Sequence, residues 1–252
     1  MDQNIKSSDI HSIYFGDKNT WVDWYLIPSS RPVIKPPTVK THYVDIPGSD
    51  WHLDLSTVLT GDVCYNAREG TLDFIVDNGQ LTEYKAELWP MLYSKIMDHL
   101  HGRELNMTLE DDPDFYYTGR FAVNEWKSDP ENSKIVIDYN VSPFKLEAAS
   151  SLKEDWKWDT FNFETGIVRE YKDLKVDGSL TFIIAGRRMR VTPTFIVKSS
   201  DKKGMKVKFN GSTYNLPDGT SRVVNIRTVE GDNTFVFTGN GTVSIDYRGG
   251  CL

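Results

Sequence analysis

Apolar residues recur at every second position over much of the chain, and this spacing predicts strands. In "KIVIDYNV", Ile135, Ile137, Tyr139 and Val141 share one face, while Val136, Asp138 and Asn140 share the other. "GTLDFIVDNG" places Leu72, Phe74 and Val76 on one face and runs into an Asp-Asn-Gly turn. Met205, Val207 and Phe209 alternate with lysines up to Asn210-Gly211, and Tyr214 and Leu216 lie beyond it, the pattern of a tight hairpin. "NTFVFTGNGTVSIDY" reads as a second hairpin, turning at Gly239-Asn240-Gly241. One segment has another period. In "YKAELWPMLYSKIMDHLHG", Leu88, Leu92, Ile96 and Leu100 recur every four residues, which predicts an amphipathic helix closed by Gly102. Pro90 has no amide hydrogen and fits only the first turn, so the helix is placed at about Pro90–His101.

Two stretches interrupt these patterns. "IPSSRPVIKPPTVK" (Ile27–Lys40) holds four prolines, which cannot donate to a sheet ladder; it reads as an extended arm or edge. "SPFKLEAASSLKEDWKWD" turns polar, and the domain junction is expected near Ala148–Asp155. The expected architecture is mostly β: an α+β N-terminal domain over residues 1–149, barrel- or sandwich-like with one helix, then a β-sandwich over 150–252.

The 252 residues are 39% hydrophobic and 26% charged, enough for a real core. The formal charge of −7 argues against nucleic acid as an attracted partner. Cys64 and Cys251 fit no disulfide framework or metal spacing, and the first residues lack the apolar core of a signal peptide; folding in a cytosolic compartment is expected. No run of about 18 apolar residues suggests a membrane span.

Candidate chemistry is thin. "EDDPDFYYTGRF" packs Glu110, Asp111, Asp112 and Asp114 around Pro113. That could hold a cation, but it lacks EF-hand spacing, and Asp and Pro are turn formers; an exposed hairpin tip is the favoured reading. His99 and His101 end a helix, where residues two apart diverge, so a zinc site is disfavoured. No nucleophile elbow or phosphate loop occurs, and no histidine follows His101. Trp156 and Trp158 form an aromatic patch that reads either as the start of a sandwich core, which is favoured, or as a sugar platform. Distant acids that meet in space, as in a glycosidase, leave no local trace in sequence.

Taken in order, "FGDKNTWVDWYLIPSSRPVIKPP", "YVDIPGSDWHLDLSTVLTG", "LYSKIMDHLHGRELNMTLEDDPDFYYTGRF" and "IVIDYNVSPFKLE" resemble the N-terminal half of the distal tail protein family. That family belongs to long-tailed phages, prophages and tail-like particles of Gram-positive bacteria. "WDTFNFETG", "VKFNGSTYNLPDG" and "GDNTFVFTGNGTVSIDYRGGCL" resemble the family's second domain. The resemblance implies a ring-forming (belt) domain over 1–149 and a galectin-like β-sandwich over 150–252. It implies a homohexameric ring at the tail tip, in the virion, joining the tail tube protein to a tail-associated lysin or baseplate hub protein, with DNA passing through the lumen. It implies no catalytic residue, cofactor or metal. The second half has no histidine, which argues against the galectin mode of sugar binding. A carbohydrate-binding host-adsorption module is the alternative. The proline segment, through Arg31, Pro32, Val33, Ile34, Pro36 and Pro37, is the candidate inter-subunit arm.

Overall fold

The computed structural model describes residues 10–76, 89–127, 133–149, 151–152, 171–200 and 202–252. The chain divides into two compact units, one of residues 1–145 with Leu252 and one of Leu146–Cys251. The fold is mostly β, with one long helix among the described residues.

The first unit holds strands β1 (Ile13–Phe15), β2 (Lys18–Asn19), β3 (Leu26–Pro28), β4 (Tyr43–Asp45), β5 (His52–Asp54) and β6 (Arg68–Val76). Helix α1 (Trp89–Leu100) and strands β7 (Glu104–Leu109), β8 (Phe115–Lys127) and β9 (Lys134–Val141) follow. Seven of these strands join in the order β2-β1-β7-β8-β9-β6-β3, all neighbours antiparallel. The alternation read from sequence is realised: Leu72, Phe74 and Val76 are buried on β6, and Ile135, Ile137, Tyr139 and Val141 on β9. Val136, expected on the opposite face, is buried as well. The turn expected after Val76 lies outside the described residues.

Helix α1 buries Leu92, Ile96 and Leu100 in the core that also holds Phe15, Phe74, Phe121 and Met107. Gly102, at φ +74, ends the helix in the left-handed region, and its amide donates to the Phe121 carbonyl at 2.7 Å. His99 and His101 diverge as expected. His99 Nε2 hydrogen-bonds the Phe15 carbonyl at 2.8 Å, and the Val123 amide donates to His101 Nδ1 at 3.2 Å. Both imidazoles therefore tie the helix end to the sheet.

The second unit is built from β10 (Lys145–Glu147), β11 (Leu174–Gly186), β12 (Thr194–Ser199), β13 (Met205–Phe209), β14 (Ser212–Leu216), β15 (Gly219–Arg222), β16 (Gly231–Asp246) and β17 (Gly250–Cys251). The first residue of β10 belongs to the other unit. The β13–β14 hairpin turns at Asn210 (φ 46) and Gly211 (φ 80), the two positive φ values an Asn-Gly turn supplies.

The second predicted hairpin is not one. Gly239-Asn240-Gly241 lies inside β16, a single 16-residue strand paired over residues 231–243 with β11. The glycines bend the strand rather than reverse it. Residues 235–238 pair with β13 on the other edge, and residues 241–246 with β12. Gly241, at φ +139, lies where a Cβ would collide with the Lys198 carbonyl oxygen. On β11, Gly178 (φ 72) sits opposite Gly239, so both strands bend together. One long bent strand thus pairs with β11 on one edge and with β13 and β12 on the other, around a core of Phe195, Phe209, Phe235, Phe237 and Ile245.

Candidate functional site

The proline segment leaves the edge strand β3, where the Ser29 amide still donates to the Asp73 carbonyl at 2.8 Å. Beyond it the prolines end the ladder, as expected, and residues 31–38 belong to no strand. Ile34 is buried in the core, whereas Val33 is 74% exposed. Arg31, Lys35 and Pro36 are exposed, and Pro32 and Pro37 half-buried. Only part of this segment therefore faces outward.

Two sets of contacts hold the segment down. The Lys35 amide donates to the Tyr139 hydroxyl at 3.0 Å. Arg68, buried at the start of β6, donates from Nε to the Pro143 carbonyl at 2.8 Å and from Nη1 to the Lys35 carbonyl at 3.3 Å. Its guanidinium stacks on Tyr117, 5.4 Å from the ring centre. At the other end, Arg31 Nε donates to Asp111 at 2.8 Å.

That contact changes the reading of the acidic cluster. The residues do form the β7–β8 turn, closed by the Asp112 amide on the Leu109 carbonyl. They are not merely solvated, however. Asp111 accepts from Arg31 with one oxygen and lies 2.8 Å from His11 Nδ1 with the other. Glu110 accepts from the Ser12 amide and hydroxyl. Asp112 pairs with Lys145 at 2.6 Å, whose ammonium also sits over the Phe115 ring. The turn thus fastens the chain start, the proline segment and the end of the unit.

Protonation follows from these contacts. At Asp111 burial pushes the carboxyl upward, but hydrogen bonds from His11 and Arg31 outweigh it and hold it below its ordinary value. At Asp114 burial, aided by the nearby Asp112 charge, pushes the carboxyl up. Among the described residues no cluster of three or more His, Cys, Asp or Glu is arranged to hold a metal.

A hollow of about 220 Å³ lies between the proline segment and β6, with Pro28, Pro32 and Val33 on one side and Leu72 and Phe74 on the other. Asp73 is its one carboxylate among the described residues, and Lys134 pairs with it at 3.4 Å.

Trp156 and Trp158 lie outside the described residues. The sequence reading missed the anchors Arg68, Tyr139 and Asp111, because each meets the proline segment across 33 to 104 residues of chain. It also missed an exposed hairpin, β4–β5, directly after that segment. Its signal was the turn sequence Pro47-Gly48-Ser49-Asp50, with Gly48 at φ 76, between "YVD" and "HLD".

No family model matches the sequence, and no curated protein matches it. Among solved structures the chain is similar to the Dit protein (gp 19.1) of phage SPP1. That protein is described as a paradigm of the hub adsorption apparatus in phages infecting Gram-positive bacteria. Identity is 12%, the TM-score is 0.60, and the match covers 96% of this chain and 100% of the other. The chain has the fold of a distal tail protein.

Proposed function

We propose that the protein is the hub of a phage-type tail tip. It assembles as a homohexameric ring that joins the tail tube to the tail-associated lysin or receptor-binding apparatus, and it acts by geometry rather than catalysis. The observation that carries this reading is the match, over nearly the whole of both chains, to a solved hub protein. The charge distribution agrees with it. Residues 1–145 carry 13 Lys and Arg against 23 Asp and Glu, while 146–252 carry 16 against 13. An acidic ring unit suits a lumen through which DNA must slide, because attraction would hold it.

In this reading the proline segment supplies one of the two different patches that each subunit of a ring requires. Deleting the segment would remove Ile34 from the core, so substitution of the exposed Val33 is the cleaner probe. Light scattering on the whole chain should give a mass of about six times 28.8 kDa. Val33→Asp should lower that mass while leaving the circular dichroism spectrum unchanged. A strict monomer at high concentration argues against the hub.

A further inference from the structure

One end of the sheet in the second unit is β14, and its outer edge is open. The two-residue turn Asn210-Gly211 makes Phe209 and Ser212 a hydrogen-bonded pair, as are Val207 with Tyr214 and Met205 with Leu216. Thr213 and Asn215, between them, turn their amide N–H and carbonyl groups away from β13. Neither backbone meets a partner among the described residues, and both residues are exposed. A row of unpaired donors and acceptors at strand spacing is a template for one more strand.

Edges are normally guarded, and three others in this chain are. β2 is two residues long and carries Lys18, β3 gives way to prolines, and β15 contains Gly219 and Arg222. β14 has none of these devices. Its "STYNL" is uncharged, lacks proline and glycine, and pairs with β13 in unbroken register over five residues.

Charge indicates what adds to it. Lys206 and Lys208 stand exposed on β13, opposite Asn215 and Thr213. Their neighbours on the other side are Thr238 and Val236 of β16, so no acid adjoins them. Asp218, the first acid after β14, already accepts from the Ser199 amide at 2.7 Å. At about 4.8 Å per strand, an added strand lies about 10 Å from β13, and the lysines can reach it across the short Thr213 and Asn215. On the other face of β14, half-buried Tyr214 packs at the margin of the core.

We infer that β14 receives an extended segment of a partner protein, with acidic side chains at every second position and apolar ones between. The acids face Lys206 and Lys208 at the same two-residue spacing, and an apolar side chain packs beside Tyr214. A second copy of this chain is the poorer occupant, because β14 against β14 brings two lysine rows to one face. The contact uses the second unit alone, so it does not depend on whether the first unit forms a ring.

The test is binding of labelled peptides to the full chain, read by fluorescence anisotropy. The probe TEVEVET should bind with a Kd below about 1 mM, and TKVKVKT should not. Binding should protect the Thr213 and Asn215 amides from hydrogen exchange. Asn215→Pro removes an outward donor without touching the β13 ladder, and should weaken binding at least about tenfold. Lys206→Glu with Lys208→Glu should reverse the preference between the two peptides. The inference is overturned if TEVEVET fails to bind, leaves those amides unprotected, or binds Asn215→Pro as it binds wild type. A lysine variant that keeps the wild-type preference overturns it as well. Should Asn215→Pro misfold, probes N-methylated at the glutamates or at the valines test the same bonds on the wild-type chain. Only one of the two should lose binding, because a strand turns alternate amides to its neighbour. Equal binding by both overturns the added strand. Self-association of the wild-type chain that Asn215→Pro abolishes makes a second copy the occupant, and overturns the acidic partner.

Discussion

Two hairpins in this chain have similar local chemistry and opposite fates. In β13–β14, Met205, Val207 and Phe209 alternate with lysines, and all three are buried beneath their own unit. In β4–β5, Tyr43, Val44, Trp51 and Leu53 stand among aspartates and histidines, and all four are exposed. Each hairpin pairs its strands in regular antiparallel register. What differs is the support beneath them. The first has β16 alongside, with Phe235 stacked on Phe209 at 4.6 Å. The second pairs with no other strand among the described residues. Apolar side chains stabilise a subunit only where something covers them; elsewhere their free energy is available for association.

The comparison can be broken most forcefully at the supported hairpin. Phe209→Ala empties a packed site and should cost about 3–5 kcal/mol in urea unfolding. Unfolding unchanged by this substitution would contradict the packing described. Glu147→Ala belongs to the same unit and has a similar expected effect. It removes the carboxylate that Arg187 pairs with at 2.9 Å and that accepts from the Gly249 amide, for about 3 kcal/mol.

Next comes the bend that lets one edge of β16 support both β13 and β12. Gly241→Ala forces a Cβ toward the Lys198 carbonyl at a φ that L residues rarely adopt, at a cost of about 1–3 kcal/mol. A Gly-Asn-Gly hairpin turn at the surface would tolerate that change better, so thermal melting distinguishes the two geometries.

The Asp111 clamp has a smaller expected effect. Asp111→Ala should cost about 1 kcal/mol, because its partners are partly exposed. The sign of its pH dependence follows from a folded-state value held below the unfolded one. The stabilisation is fully present above the unfolded value of about 3.9 and disappears as pH falls through the lower, folded-state value. Wild type and variant should therefore differ in stability at neutral pH and converge in strong acid. The smallest expected effect is at the unsupported hairpin. Trp51→Ala, at a 79% exposed position, should change subunit unfolding by no more than about 0.5 kcal/mol. A large loss of subunit stability would show that the hairpin has support of its own.

Much of this fold was legible locally. The period-two runs on β6, β9 and β13 and the four-residue period of α1 matched the buried faces. At β13 the Asn210-Gly211 turn and at α1 the Gly102 stop agreed with the period as well. The Gly-Asn-Gly segment was misread because glycine serves a reverse turn and a bent strand equally well, and the partner strands decide between them. The acidic turn was placed correctly and its role was not. Turn chemistry is local, but the partners of Asp111 lie 80 and 100 residues away. The proline segment was correctly kept out of the central ladder, yet its inner face was invisible, since nothing in "RPVIKPP" singles out Ile34 as the residue that enters the core.

By itself the sequence determined the strands, the helix with its stop at Gly102 and the Asn210-Gly211 turn. These are set by side-chain period, backbone φ preference and composition, which act over a few residues. The tertiary structure alone decided which apolar side chains acquired a cover. It also made Gly239 and Gly241 a bend, and brought Arg68, Tyr139 and Asp111 to the proline segment. Those outcomes depend on contacts between distant parts of the chain, whose closure entropy is offset only when the whole core assembles.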